Sequence, residues 1–459
     1  MNQNSKIAAA VAAVLASAVG ANSAHAALQP TPASAQAPNV ALYISGSSAA
    51  KNAIIGGLES GLCAGTYSLF SSISNTNFFA VSCQPAAGTA GANGTDIYTV
   101  WYRDEGGSVT GALPLISGSS INQLLLTATT GTSSPYQVTV NGSSGTNGID
   151  DSFSGGVFKA VSNLGITDVE PGALVGDNYP SAYKSSVYGT ASPTQLAAVT
   201  HSTIMQQIFS IAVNTNSSVF SSAETAGQGK ACCGNASLAM SKQQIADLLD
   251  GTTTDWSLAS DINGNPVASS PLAVTIINRE QGSGTRTSTS IFYVEDECNT
   301  VGGKKIVEST AGTGDYFSTG NVLAAANAVP GAITYTSIDQ YGSSSYPNLT
   351  MVAVNGVQPS QLSAASGAYG EWFEATAVKP ANFASLDSRI QNAANFIISQ
   401  TQKESTMPHV VDVLAIPGIG GNKASLPVSG TADTTGGGVA VYINPFTRSG
   451  VSCAIPAGL

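Results

Sequence analysis

The chain is 459 residues long and weakly charged, with 16 Lys and Arg against 27 Asp and Glu for a formal net charge of -11. That balance excludes nucleic acid as a partner, because binding its phosphates needs a basic face. Past the first residues no run approaches eighteen uninterrupted apolar positions, so no membrane span is expected and the length suffices for two or three domains.

In chain order, residues 1–26 read as a signal peptide: Lys6 supplies the positive region, Ile7 to Val19 the apolar run, and Ala24-His25-Ala26 the small-x-small cleavage site. Ala27 would begin the mature chain, and because it is not a cysteine no lipid anchor is expected, which places the protein in the periplasm or outside the cell. Residues 27–39, with Pro30, Pro32 and Pro38, predict a flexible lead-in. Strands are expected at Val40 to Ile44, Tyr98 to Tyr102, Tyr136 to Val140 and Ile208 to Val213, with a helix near Lys51 to Leu58. Ser241 as N-cap, Gln244 three residues on, the apolar face Ile245, Leu248, Leu249 and the stop at Gly251 predict a helix over Lys242 to Asp250. The alternation implies an α/β fold. Segments 86–95, 129–135, 141–148 and 424–438 are rich in Gly, Ser and Thr without apolar periodicity and read as loop insertions.

Six cysteines, Cys63, Cys83, Cys232, Cys233, Cys298 and Cys453, form an even set in an exported chain, so disulfides are expected rather than metal ligation. Cys63 and Cys83 could close a local loop, whereas the adjacent Cys232 and Cys233 are expected to reach Cys298 and Cys453.

The sharpest chemical signal is Arg279-Glu-Gln-Gly282-Ser283-Gly284-Thr285-Arg286, which follows the apolar run Ala273 to Ile277 and opens a helical stretch. Backbone N–H groups at a helix start favour an anion, and the glycines let it approach. Ser283 and Thr285 add hydroxyls, and the Arg279 fork matches a tetrahedral oxyanion. An ordinary capped turn with Arg279 in a surface ion pair would use the same residues. Three other polar turns follow apolar strands: Ser45-Gly46-Ser47-Ser48-Ala49-Ala50-Lys51, Arg103-Asp-Glu-Gly106-Gly107-Ser108 and Gly165-Ile166-Thr167-Asp168. Each could be turn chemistry alone. Asp168 stands out, since a carboxylate repels an anion unless the anion carries a proton to donate.

Taken in order, these four segments resemble those of the phosphate-binding proteins of Pst-type ABC importers, over about residues 40 to 400. Leu238 to Trp256, Val329-Pro330-Gly331-Ala332-Ile333-Thr334-Tyr335, and Val354 to Pro359 with Gly367-Ala-Tyr369 add to the likeness. The resemblance implies a two-lobed periplasmic binding protein, type 2-like, with a ligand cleft between lobes. One lobe would hold 40–205 and 338–404, the other 206–337, with crossings near Gln206 to Val213 and Tyr335 to Ile338, and 405–459 as an extra C-terminal segment. It further implies Ser47, Ser48, Ser108 and Asp168 on one wall and Arg279, Ser283, Gly284 and Thr285 on the other. Phosphate or a similar oxyanion would be the ligand and an ABC permease the partner, with no cofactor and no metal. The sequence departs from the family where Ala50 and Lys51 stand in place of a threonine and an aromatic, and where Gln281 stands in place of an aspartate able to hold the arginine.

Two other functions remain open at this stage. One is a secreted phosphate-binding or surface interaction protein without a transporter; the other is a secreted phosphoester hydrolase. For the hydrolase, no Gly-x-Ser-x-Gly elbow surrounds Ser283, no complete P-loop occurs, and His201 and His409 carry no local triad signature.

Overall fold

The structure is a computed structural model, and it describes residues 28–140, 155–179, 186–228, 238–295, 298, 304–309, 315–339, 345–402, 413–415 and 442–458. The expected signal peptide, the segments 141–148 and 424–438, His409, and Cys232 with Cys233 lie outside the described residues.

The architecture is α/β, built on one large mixed sheet. Its strands run in the order Leu238–Met240, Leu349–Val354, His201–Asn214, Trp372–Val378, Leu164–Thr167, Val40–Gly46, Tyr98–Arg103, Phe78–Cys83, Tyr67–Ser72 and Tyr136–Val138. Val40–Gly46 lies between two parallel neighbours, Tyr98–Arg103 and Leu164–Thr167, so the polar turns that follow all three strands emerge at one sheet edge. This is where open α/β sheets hold ligands.

Strand His201–Asn214 organises the molecule. Its first half pairs with Trp372–Val378 and its second half with Ala332–Ser337 and Leu349–Val354, so one strand belongs to two packing regions. From Ile204 to Asn214 every residue is buried, as expected of a strand covered on both faces. Two apolar cores follow from that division. Leu42, Ile44, Ile54, Val100 and Ile397 pack on one side, and Ile211, Ile245, Trp256, Ile333 and Val352 on the other. A third cluster, including Val109, Val169, Phe209, Ile291, Phe317 and Phe373, draws from both and lies beneath the candidate site.

Helix Lys242–Leu249 forms with the expected capping box, Ser241 and Gln244 each satisfying the other's backbone N–H. The helix near residue 51 spans Lys51–Gly57 and widens into a π-turn at Leu58–Leu62.

Beside strand His201–Asn214, Ala332–Ser337 pairs with Phe209 to Val213, the Ile338 N–H bonds the Ile208 carbonyl at 3.2 Å, and Trp372–Val378 pairs with His201 to Ile208. Three expectations differ from what is observed. The proline-rich lead-in contains a helix, Pro32–Gln36, capped by Thr31, because Ala35 is fully buried and its carbonyl accepts from Thr99 Oγ1 at 2.8 Å. The third strand ends at Val138 and not at Val140. Finally, Cys298 bonds Cys453, their Cα atoms 5.3 Å apart, so neither is available to Cys232 or Cys233. The expected bond Cys63–Cys83 is present, with Cα atoms 5.5 Å apart across two neighbouring elements.

Candidate functional site

The first wall begins at Gly46, whose φ of +134° suits glycine and whose Cα approaches strand Leu164–Thr167 so closely that a Cβ would lie 1.8 Å from the Ile166 carbonyl oxygen. That contact delivers Ser47, whose N–H donates to the same carbonyl at 2.8 Å. Its hydroxyl donates to Asp168 Oδ1 and accepts from the Ala50 N–H at 2.8 Å, which starts the helix that Lys51 continues. Ser108 Oγ accepts from the Asp168 N–H at 3.0 Å, joining the second and third turns. Ser47, Ser108 and Asp168 are thus joined in one buried hydrogen-bonded cluster, and Ser48 next to Ser47 is buried as well.

The second wall is the turn from Arg279 to Thr285. Ser283 caps helix Gly284–Thr289, its Oγ accepting from the Arg286 N–H at 3.3 Å, which leaves the hydroxyl proton to donate elsewhere. N–H groups at a helix start lack intrahelical acceptors and add positive potential. Arg279 is 1% exposed, so the surface ion pair that a plain turn would give is not what forms. Its guanidinium is held by backbone carbonyls: Nε donates to Tyr316 at 3.2 Å and Nη2 to Phe317 at 2.8 Å. Nη1 donates to Thr319 Oγ1 at 3.1 Å.

The two walls meet. Val109 N–H donates to the Gly282 carbonyl at 2.9 Å, Thr285 Oγ1 to Asp168 Oδ2 at 3.4 Å, and Ser48 Oγ lies 3.4 Å from Thr319 Oγ1. Gly107, with φ of +68°, fits against the opposite backbone, a Cβ there falling 3.1 Å from Ser283 Cα. All eight residues named from the sequence are thus brought together from both sides of the fold.

Burial pushes the Asp168 carboxyl above its usual value, and the Ser47 hydroxyl, Arg279, Ser108 and Thr285 pull it back. Burial likewise lowers Arg279, opposed by Glu280 and Asp168 among others. Both groups are dry, so their interaction with each other and with a ligand is little screened. The second turn carries a buried pair of its own, Arg103 Nη2 to Glu105 Oε2 at 2.8 Å, with Tyr188 donated to at 2.9 Å. Burial raises Glu105 to about 7. Lys51 bonds Asp104 at 3.2 Å and is not spare charge for a ligand.

Sequence reasoning missed Thr319 and Arg286. Thr319 opens helix Thr319–Ala328, and its signal was the Ser318 cap bonded to Asn321. Arg286 stood inside the quoted motif; Nη1 donates to the Arg279 carbonyl at 3.1 Å and to Asp315 at 3.2 Å, while Nη2 bonds Glu308 at 3.0 Å.

No protein-family model and no curated protein matches the chain. It is similar to solved phosphate-binding proteins. One, from Clostridium perfringens, is described as a phosphate ABC transporter substrate-binding protein with bound phosphate: 14% identity, 81% of this chain and 99% of that one covered, TM-score 0.43. An ABC-type phosphate transport receptor from Vibrio cholerae shares 12% identity over 78% of this chain and 93% of its own, at TM-score 0.36. A phosphate-binding protein from Stenotrophomonas maltophilia shares 14% over 79% and 84%, at 0.39. At this distance the functional assignment rests on the residues of the site.

Proposed function

We propose that the chain is an exported solute-binding protein that holds phosphate or a closely related oxyanion between the two walls and hands it to an ABC permease. The single observation that carries this is Asp168, a buried carboxylate facing the Arg279 fork and a ring of hydroxyl donors. Donors on most sides and one acceptor suit an anion that is charged and still bears a proton. Phosphate near neutral pH is such an anion; sulfate is not.

The crossing strands His201–Asn214 and Trp372–Val378 supply a hinge for two walls carried on different cores. A ligand that bridges the walls stabilises the closed arrangement, so binding and closure form one equilibrium. The anion is held and released unchanged. Among the described residues no helix is long and apolar enough to cross a membrane, so delivery would need a membrane partner.

Isothermal titration calorimetry of the purified protein against phosphate, arsenate, phosphonates and sulfate tests the proposal. Tight binding of phosphate and arsenate with weak binding of sulfate is expected. No heat with any of them, or turnover of a phosphoester by the same preparation, would overturn it.

A further inference from the structure

The C-terminal residues Phe446 to Gly458 fold into a closed turn, Phe446–Thr447 pairing with Ala457–Gly458. The turn is pinned to the hinge. Thr447 Oγ1 and the Gly450 N–H each donate to the Glu374 carboxylate at 2.6 Å. Arg448 donates to the Trp372 carbonyl at 3.2 Å and stacks on Phe373, its guanidinium 4.4 Å from the ring centre.

Two adjacent residues then reach in different directions. Ser452 bonds the Glu170 carboxylate through its N–H at 2.9 Å and through its hydroxyl. Glu170 lies two residues beyond Asp168, on the first wall. Cys453 is bonded to Cys298, which follows the helical stretch that begins at Ser283, on the second wall. A motion that separates the walls must stretch a link only two residues long.

From this juxtaposition we infer that Phe446 to Gly458 is a clasp across the hinge, in which Ser452 and Cys453 are positioning residues that limit how far the anion site opens. The inference rests on the proposed two-walled anion site, but its mechanical part concerns opening alone. By penalising the open arrangement the clasp favours closure and slows ligand release.

The test compares three proteins: the native chain, Cys298→Ser with Cys453→Ser, and Glu170→Ala. Spin labels on unnatural residues at the exposed positions Ala87 and Asn263 report the distance between the two sides without any ligand. Stopped-flow reports phosphate release. Expected are a narrow distance distribution in the native protein, a broader and longer one in both variants, and release faster on the order of tenfold, in the range of ordinary coupling between sites. Cys63→Ser with Cys83→Ser, which cuts a bond inside one core, should lower the melting temperature and leave the distances unchanged. If either clasp variant folds and keeps the native distribution, the clasp is refuted. Should the native protein bind no phosphate, the proposed function fails by itself while the distance measurement still decides the clasp.

Discussion

Gly284 packs so tightly against Ser108 that a methyl group on its Cα would lie 2.2 Å from the Ser108 hydroxyl oxygen and 2.7 Å from Asp168 Cβ. The two residues come from opposite walls, so this contact exists only when the walls are together. Gly284→Ala should therefore leave each core intact, since alanine is a good helix residue, and obstruct closure. Calorimetry should show phosphate weakened at least about tenfold, with a melting temperature near that of the native protein without ligand. Equal affinity in the variant would mean that binding does not require this approach.

Arg279 donates three well-directed bonds to fixed partners, which orient its planar group. Lysine keeps the charge and loses the fork. A charge-assisted hydrogen bond contributes roughly 1.5–3 kcal/mol, so Arg279→Lys should cost about tenfold to a hundredfold in phosphate affinity, and Arg279→Ala more. Titration of both variants checks the order; a lysine variant equal to native would show that charge alone holds the anion.

Glu371 gives a pH signature away from the site. It is buried among the hydroxyls of Tyr293, Tyr369 and Thr289, and burial lifts its carboxyl from the usual 4.5 to about 7, against the pull of those hydroxyls and of the Lys242 charge. A carboxyl raised in the folded state contributes stability that is fully present below pH 4.5 and is lost as pH rises through about 7. At about 1.36 kcal/mol per pH unit the whole effect is roughly 3 kcal/mol. Urea unfolding of the native protein and Glu371→Gln between pH 4 and 8 should show the native protein losing ground to the variant as pH rises. Parallel curves would contradict an elevated Glu371.

Much of the site was legible because its four turns share one local grammar, an apolar strand followed by Gly and hydroxyl residues. The grammar shows in Gly46-Ser47-Ser48 and in Gly282-Ser283-Gly284-Thr285 without knowledge of what lies opposite. Thr319 escaped because its partners, Arg279 and Ser48, are 40 and 271 residues away and only the folded chain brings them near. Which strands lie beside His201–Asn214 is likewise decided by tertiary pairing: Ala332–Ser337 and Leu349–Val354 both pair with its second half, from more than a hundred residues away. The pairing of Cys298 with Cys453 spans 155 residues and leaves no local trace.

If Asp168 reads the proton on the anion, as proposed, replacing it with asparagine will change which anion the site prefers. Phosphate can donate its proton to the carboxylate while Arg279, Ser283 and the helix N–H groups donate to its other oxygens. Sulfate would leave two acceptors opposed in a dry site, a cost of at least about 1–3 kcal/mol and therefore roughly tenfold or more in affinity. Asparagine can donate to either anion. Calorimetric titration of the native protein and Asp168→Asn with phosphate and sulfate should show phosphate weakened, and the ratio of phosphate to sulfate affinity reduced by roughly tenfold or more, in the variant. An unaltered ratio would remove Asp168 from anion recognition.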